Sequence, residues 1–193
     1  MTLKNFIPYL LLFIASSIIC LGYNQSPIYN YYSDDSSVYQ YIASLILEGF
    51  TPYIDIFDHK GPIVHLYHTL GYALSPLNGQ YYIEIISVFI SMIFAYKTSI
   101  LYLPKSTSTL LIIALYSTIH SVDTFGNTEI QAFPCLFYII YQFNISIKNN
   151  YISPKSSFLL GISTALISLI KLNYLIYPFI TFLSLFIFLI YQK

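Results

Sequence analysis

The feature that most constrains this chain is a series of apolar stretches with almost no charge, each approaching the length needed to cross a bilayer. A helix rises about 1.5 Å per residue, so crossing about 30 Å of hydrocarbon takes roughly 20 mostly apolar residues. Phe6 to Tyr23, Tyr81 to Tyr96, Thr107 to Val122 and Ile130 to Ile147 come near that length, with Pro104, Lys105 and the polar run Lys148 to Ser157 marking turns. Phe158 to Tyr191 would be about 50 Å long as one helix, and Lys171 and Asn173 interrupt it, so two short passes are expected there. Composition agrees, since 56% of residues are hydrophobic, 8% are charged and mean hydropathy is +0.67, more apolar surface than a soluble core absorbs. Lys4 precedes the first stretch, but no small-x-small cleavage site follows it, so it reads as an anchor rather than a signal peptide. The expected fold class is an all-α polytopic membrane protein, a single domain over residues 1–193 with about six transmembrane helices.

Charge tests this topology independently of hydropathy. Six passes put Lys4, Lys97, Lys105, Lys148, Lys155 and Lys193 on one side, which the positive-inside rule makes cytoplasmic, and leave Lys60 and Lys171 outside. Both termini are then cytoplasmic, as in a multi-pass protein of a bacterial plasma membrane. The eight carboxylates, Asp34, Asp35, Glu48, Asp55, Asp58, Glu84, Asp123 and Glu129, fall outside or at outer helix ends. Topology makes little demand on Asp and Glu, so this clustering asks for another reason.

The outer segment 24–80 holds most of that acidity and two amphipathic helices. In the first, Val38, Ile42, Leu45 and Ile46 share a face, with Ser33, Asp34 or Asp35 as N-cap and Gly49 as the stop. The second starts at Pro62 and carries Ile63, Leu66, Tyr67, Leu70 and Leu74 at helical spacing. Both are expected to lie on the membrane surface, apolar face down. Between them, Asp58, His59 and Lys60 are consecutive ionisable residues at a boundary where unpaired charge is costly, which marks a candidate site.

In order along the chain, these residues resemble the polytopic GT-C glycosyltransferases, in particular the lipid-phosphate-sugar-dependent group that includes protein O-mannosyltransferases and aminoarabinose transferases. The resemblance rests on Asp35-Ser36-Ser37 opening the first outer helix, Gly49-Phe50-Thr51-Pro52-Tyr53 ending it, and Asp55-x-x-Asp58-His59-Lys60-Gly61-Pro62 opening the next. It also rests on Asn127-Thr128-Glu129 at the fourth span and Lys171-Leu172-Asn173 near the fifth. It implies transfer of a sugar from a polyprenyl-phosphate carrier to a glycan, lipid or protein acceptor on the outer face. Asp35 matches the acidic residue at the catalytic centre and would act as general base. Lys60 matches a phosphate-contacting lysine, and Asp34, Asp58 and Lys171 join it in binding substrate. Asp58, His59 and Glu129 are of the ligand types that hold a divalent cation. Members usually have many more spans, so the chain corresponds to the N-terminal part of such a module, and an interrupted, inactive fragment is one expectation.

Plainer readings stand beside these. Asp34 and Asp35 suit a simple helix cap, and Lys60 suits a lysine snorkelling to the interface. His65 and His68, at i and i+3 on a surface helix, are expected to be solvated and stay outside the site. Lys171 marks either a phosphate contact or a turn. The tyrosines, 21 against no tryptophan, fit interfacial anchoring, and Tyr29, Tyr31 and Tyr32 are available to stack on a sugar. Cys20 and Cys135 lie in or beside apolar spans and indicate no disulfide framework. No basic nucleic-acid patch or phosphate-binding glycine loop is present. The competing class is a small polytopic scaffold or transporter subunit whose acidic loop binds cations or a partner. A transporter would place ionisable groups near the midplane, whereas here they crowd one surface.

Overall fold

The computed structural model describes residues 3–22, 26–28, 34–119 and 128–191, and among these the chain is all-helical. The helices are α1 (Leu3–Leu21), α2 (Asp34–Leu47), α3 (Pro62–Leu74), α4 (Gly79–Ser99), α5 (Lys105–Ile119), α6 (Thr128–Asn149), α7 (Pro154–Ile170) and α8 (Ile176–Tyr191), with a 3-10 turn at Leu172–Leu175. Two of them, α4 and α6, are long and apolar enough to cross a membrane, while α1, α7 and the segment 172–188 are shorter apolar helices.

The main core lies where α1, α4, α5 and α6 meet, with Leu12, Ile19, Val88, Met92, Ile112, Tyr116 and Ile130 packed together. A second cluster joins Tyr39 of α2, Val64 of α3, Ala132 of α6 and Ile170 of α7. A third sets Ile139 against Leu160 and Ile167, so that α7 runs back along α6 with Ile170 reaching Ala132. The break at Lys171 is where the sequence places it: the residue is extended, at φ −157° and ψ 120°, and the 3-10 turn follows.

Gly49 ends α2 from the left-handed region, at φ +102°, and Pro62 opens α3 behind Gly61, both as the sequence predicts. The faces differ from expectation. Helix α2 buries Tyr39, Gln40, Ile42 and Ala43 against its neighbours, and Val38 is exposed. Helix α3 buries Val64, His65, His68 and Gly71 while Leu66, Leu70 and Leu74 point outward. The two histidines are therefore core residues and not solvated ones, because the packed side of α3 is its polar side. The same inversion runs through the molecule, with Ser16, Gln80, Glu84, Ser91 and Gln131 buried while long rows of Leu, Ile and Phe on α1 and α8 are exposed.

Candidate functional site

The N-terminal ends of α2, α3 and α6 meet the C-terminal end of α7, and the candidate residues lie there. Asp34 is the first residue of α2 and Asp35 the second, in the turn where the helix dipole favours an acid. Asp35 is exposed. One turn later Tyr39 is buried, and its hydroxyl feels the charges of Asp35, Asp58 and Glu129 together. Burial first, and then those three carboxylates and the Tyr174 hydroxyl, push the Tyr39 pKa up, so that it stays a protonated donor. Three acids from distant parts of the sequence thus share one neighbourhood.

The loop before α3 is closed by its own acids. Asp55 Oδ2 accepts the Thr51 N–H at 2.8 Å, and Asp58 Oδ1 accepts the His59 N–H at 2.7 Å and the Lys60 N–H at 3.4 Å. Tyr53 sits at φ +68°, an unfavourable region for a bulky side chain, and donates its hydroxyl to the Lys60 carbonyl at 2.7 Å. The Tyr53 ring stands edge-on to His65, whose Nε2 lies 3.5 Å from Asp58 Oδ2. Burial lowers the His65 pKa, and the Asp58 charge opposes the fall. Asp58 thereby shapes the backbone under Lys60, whose Nζ stands 6.0 Å from the centre of the Tyr39 ring.

Gly61 docks this loop on α7. Its N–H donates to the Ile170 carbonyl at 3.1 Å, and a Cβ there would overlap the Leu169 carbonyl. Lys60 precedes one end of that hydrogen bond and Lys171 follows the other. The two lysines that the six-pass reading of the sequence leaves on the outer side thus flank a single backbone contact.

Glu129 faces Lys171 and the 3-10 turn. Tyr174 donates to Glu129 Oε1 at 2.6 Å and shares a 2.9 Å hydrogen bond with Thr128, while Lys171 Nζ lies 4.0 Å from Glu129 Oε1 and 5.3 Å from the Tyr174 ring centre. Burial and the bond to Glu129 raise the Tyr174 pKa. From Glu129 and Tyr174 an apolar groove of about 430 Å³ extends between α6 and α8, walled by Phe133, Leu136, Phe137, Ile140, Tyr177 and Pro178.

The geometry does not support the cation site expected at Glu129 and His59. His59 has its side chain 77% exposed beside Asp58, and Glu129 is engaged by Tyr174 and Lys171. Among the described residues no three His, Cys, Asp or Glu side chains converge as a metal ion would require. Asn24, Tyr29, Tyr31, Tyr32, Ser33, Asp123, Asn127 and Lys193 lie outside the described residues. Sequence reading missed Tyr39, Tyr53 and Tyr174 as site residues, since a tyrosine-rich chain gives no signal for which rings and hydroxyls meet the candidate residues. Comparison with known protein families, characterised proteins and solved structures finds no match to this chain.

Proposed function

We propose that the chain is a multi-pass membrane protein that transfers a sugar from a polyprenyl-phosphate carrier to an acceptor hydroxyl on the outer face, with both termini cytoplasmic. The observation that carries the reading is an apolar groove that ends at Glu129, with Lys171 beside that carboxylate and Lys60 across the Gly61–Ile170 hydrogen bond from it. An amphiphile with a long apolar tail and a charged head has both halves matched there. The inverted distribution of polarity supports the bilayer placement, since exposed Leu, Ile and Phe rows are tolerable only where lipid or protein covers them.

In this reading the tail lies between α6 and α8 and the phosphate sits by Lys60 and Lys171, with the N-termini of α2, α3 and α6 adding positive potential. Asp34 and Asp58 border the bound sugar, Asp58 chiefly by holding Lys60. Asp35, which is exposed, takes the proton from the acceptor hydroxyl. The acceptor oxygen then bonds to the anomeric carbon while the carbon–oxygen bond to phosphate breaks and its electron pair leaves with the phosphate, inverting the centre.

The test is transfer of radiolabelled sugar from a polyprenyl-phosphate pool by the purified chain in lipid, wild type against Asp35→Asn. Transfer by wild type that disappears in the variant supports the reading. A folded wild type that transfers nothing refutes it as an activity of this chain.

A further inference from the structure

We propose that His68 is a positioning residue, a neutral imidazole protonated on Nε2 alone that ties α2 to α6 and sets the spacing between the Asp35–Tyr39 and Glu129–Tyr174 sides of the site. The inference rests on the transferase reading for its catalytic consequence and on geometry for the tie itself. His68 is fully buried on α3, packed against the rings of Tyr39 and Tyr67. Its Nδ1 lies 3.4 Å from Gln40 Nε2, and its Nε2 lies 3.0 Å from Gln131 Nε2, so as placed both glutamines present a nitrogen to the ring and one amide has to turn end for end. Gln40 is one residue past Tyr39 on α2, and Gln131 is two past Glu129 on α6. One ring therefore holds the two helices that carry the opposed acids.

The proton position follows from the rest of the chain of contacts. Glu84 Oε1 accepts from Gln80 Nε2 at 3.4 Å, which turns Gln80 Oε1 toward Gln40, where it accepts from Gln40 Nε2 at 3.4 Å. Gln40 thus offers His68 an N–H, and Nδ1 is the acceptor. A neutral imidazole has one donor and one acceptor, so Nε2 carries the proton and Gln131 turns its carbonyl oxygen to receive it. Gln131 Oε1 and Gln40 Oε1 are both buried without a hydrogen-bond partner, and the Gln40 Nε2 bond to Gln80 Oε1 holds Gln40 as it is, leaving Gln131 as the amide that turns. Burial, helped by His65 one turn away, lowers the His68 pKa to about 3, which keeps the ring neutral. The titratable groups around it are His65, Tyr39, Tyr67 and, through Gln80 and Gln40, Glu84.

The experiment combines ¹⁵N-histidine NMR of the full chain in lipid nanodiscs with the transfer assay on His68→Gln and His68→Leu. The expected spectrum shows His68 with bare Nδ1 and protonated Nε2, unchanged between about pH 5 and pH 8. His68→Leu is expected to lose about a hundredfold in kcat with KM near wild type, the scale of a roughly 1 Å misplacement, and His68→Gln to recover part of the loss. The tie is refuted by a His68 that titrates in that range, by a proton on Nδ1, or by wild-type kcat in His68→Leu. If wild type transfers nothing while the Nε2–H form is observed, the transferase reading fails and the tie stands.

Discussion

Replacing Gly61 with alanine tests the assembly of the site more directly than replacing any charged residue. The Gly61 N–H bonds to the Ile170 carbonyl, and a methyl group there overlaps the Leu169 carbonyl, a backbone atom that no rotamer change removes. Forcing extra bulk into a packed position costs about 1–3 kcal/mol, and the lost or stretched backbone hydrogen bond adds about 0.5–1.5 kcal/mol. The expected loss is therefore about 2–4 kcal/mol, most of it from parting the Lys60 loop from α7. Gly161 provides the control, since a Cβ there meets nothing within 4 Å and the residue lies inside α7. Alanine at 161 is expected to be neutral or to stabilise by about 0.5–1 kcal/mol. Reversible unfolding of both variants in mixed micelles measures the difference. A Gly61→Ala protein as stable as Gly161→Ala would refute the docking of the loop on α7, and with it the pairing of the two lysines.

Four further outcomes are expected. Because His68 titrates at about 3 when folded and at about 6.5 when unfolded, the unfolded chain binds more protons between those values. Stability is thus complete above about pH 6.5 and falls on acidification, by about 2 kcal/mol from pH 7 to pH 5 for this group, and His68→Gln flattens the slope in denaturant titrations. Tyr174→Phe removes the donor to Glu129 and the bond to Thr128, and is expected to cost about 1–3 kcal/mol by the same titration. Lys171→Met breaks a 4.0 Å pair whose members are each about a third exposed, so stability should change by less than about 1 kcal/mol while sugar transfer is lost, a split read by measuring both. The chain lacks tryptophan and Phe57 is 96% exposed, so Phe57→Trp supplies a single fluorophore. Quenching by brominated lipid, and not by aqueous iodide, is the outcome expected if this loop faces the membrane surface.

Much of the local architecture is legible in the sequence because it depends on near neighbours. Gly49 and Pro62 bound the two short helices through backbone chemistry, and Lys171 breaks the last apolar region because a helix there would hold a charge amid hydrocarbon-like side chains. The gathering of Asp35, Asp58 and Glu129 was foreshadowed by their shared side in the charge pattern. The faces were not. His65 and His68 read as solvated because periodicity identifies an apolar stripe without saying whether lipid or protein covers it, and on α3 the outward stripe is Leu66, Leu70 and Leu74. Residue type likewise suggests a cation ligand, while only packing decides which side chains converge, and among the described residues no three His, Cys, Asp or Glu do so.

By itself, then, the sequence determined the helical class and the approximate helix limits, consequences of backbone preference and of the cost of placing charge in an apolar medium. Tertiary structure alone decided that Lys60 and Lys171 flank one hydrogen bond, that Tyr39 and Tyr174 turn inward, and that His68 joins α2 to α6. Those relations depend on helix packing across long stretches of chain, where one glycine without a Cβ sets how closely two backbones meet.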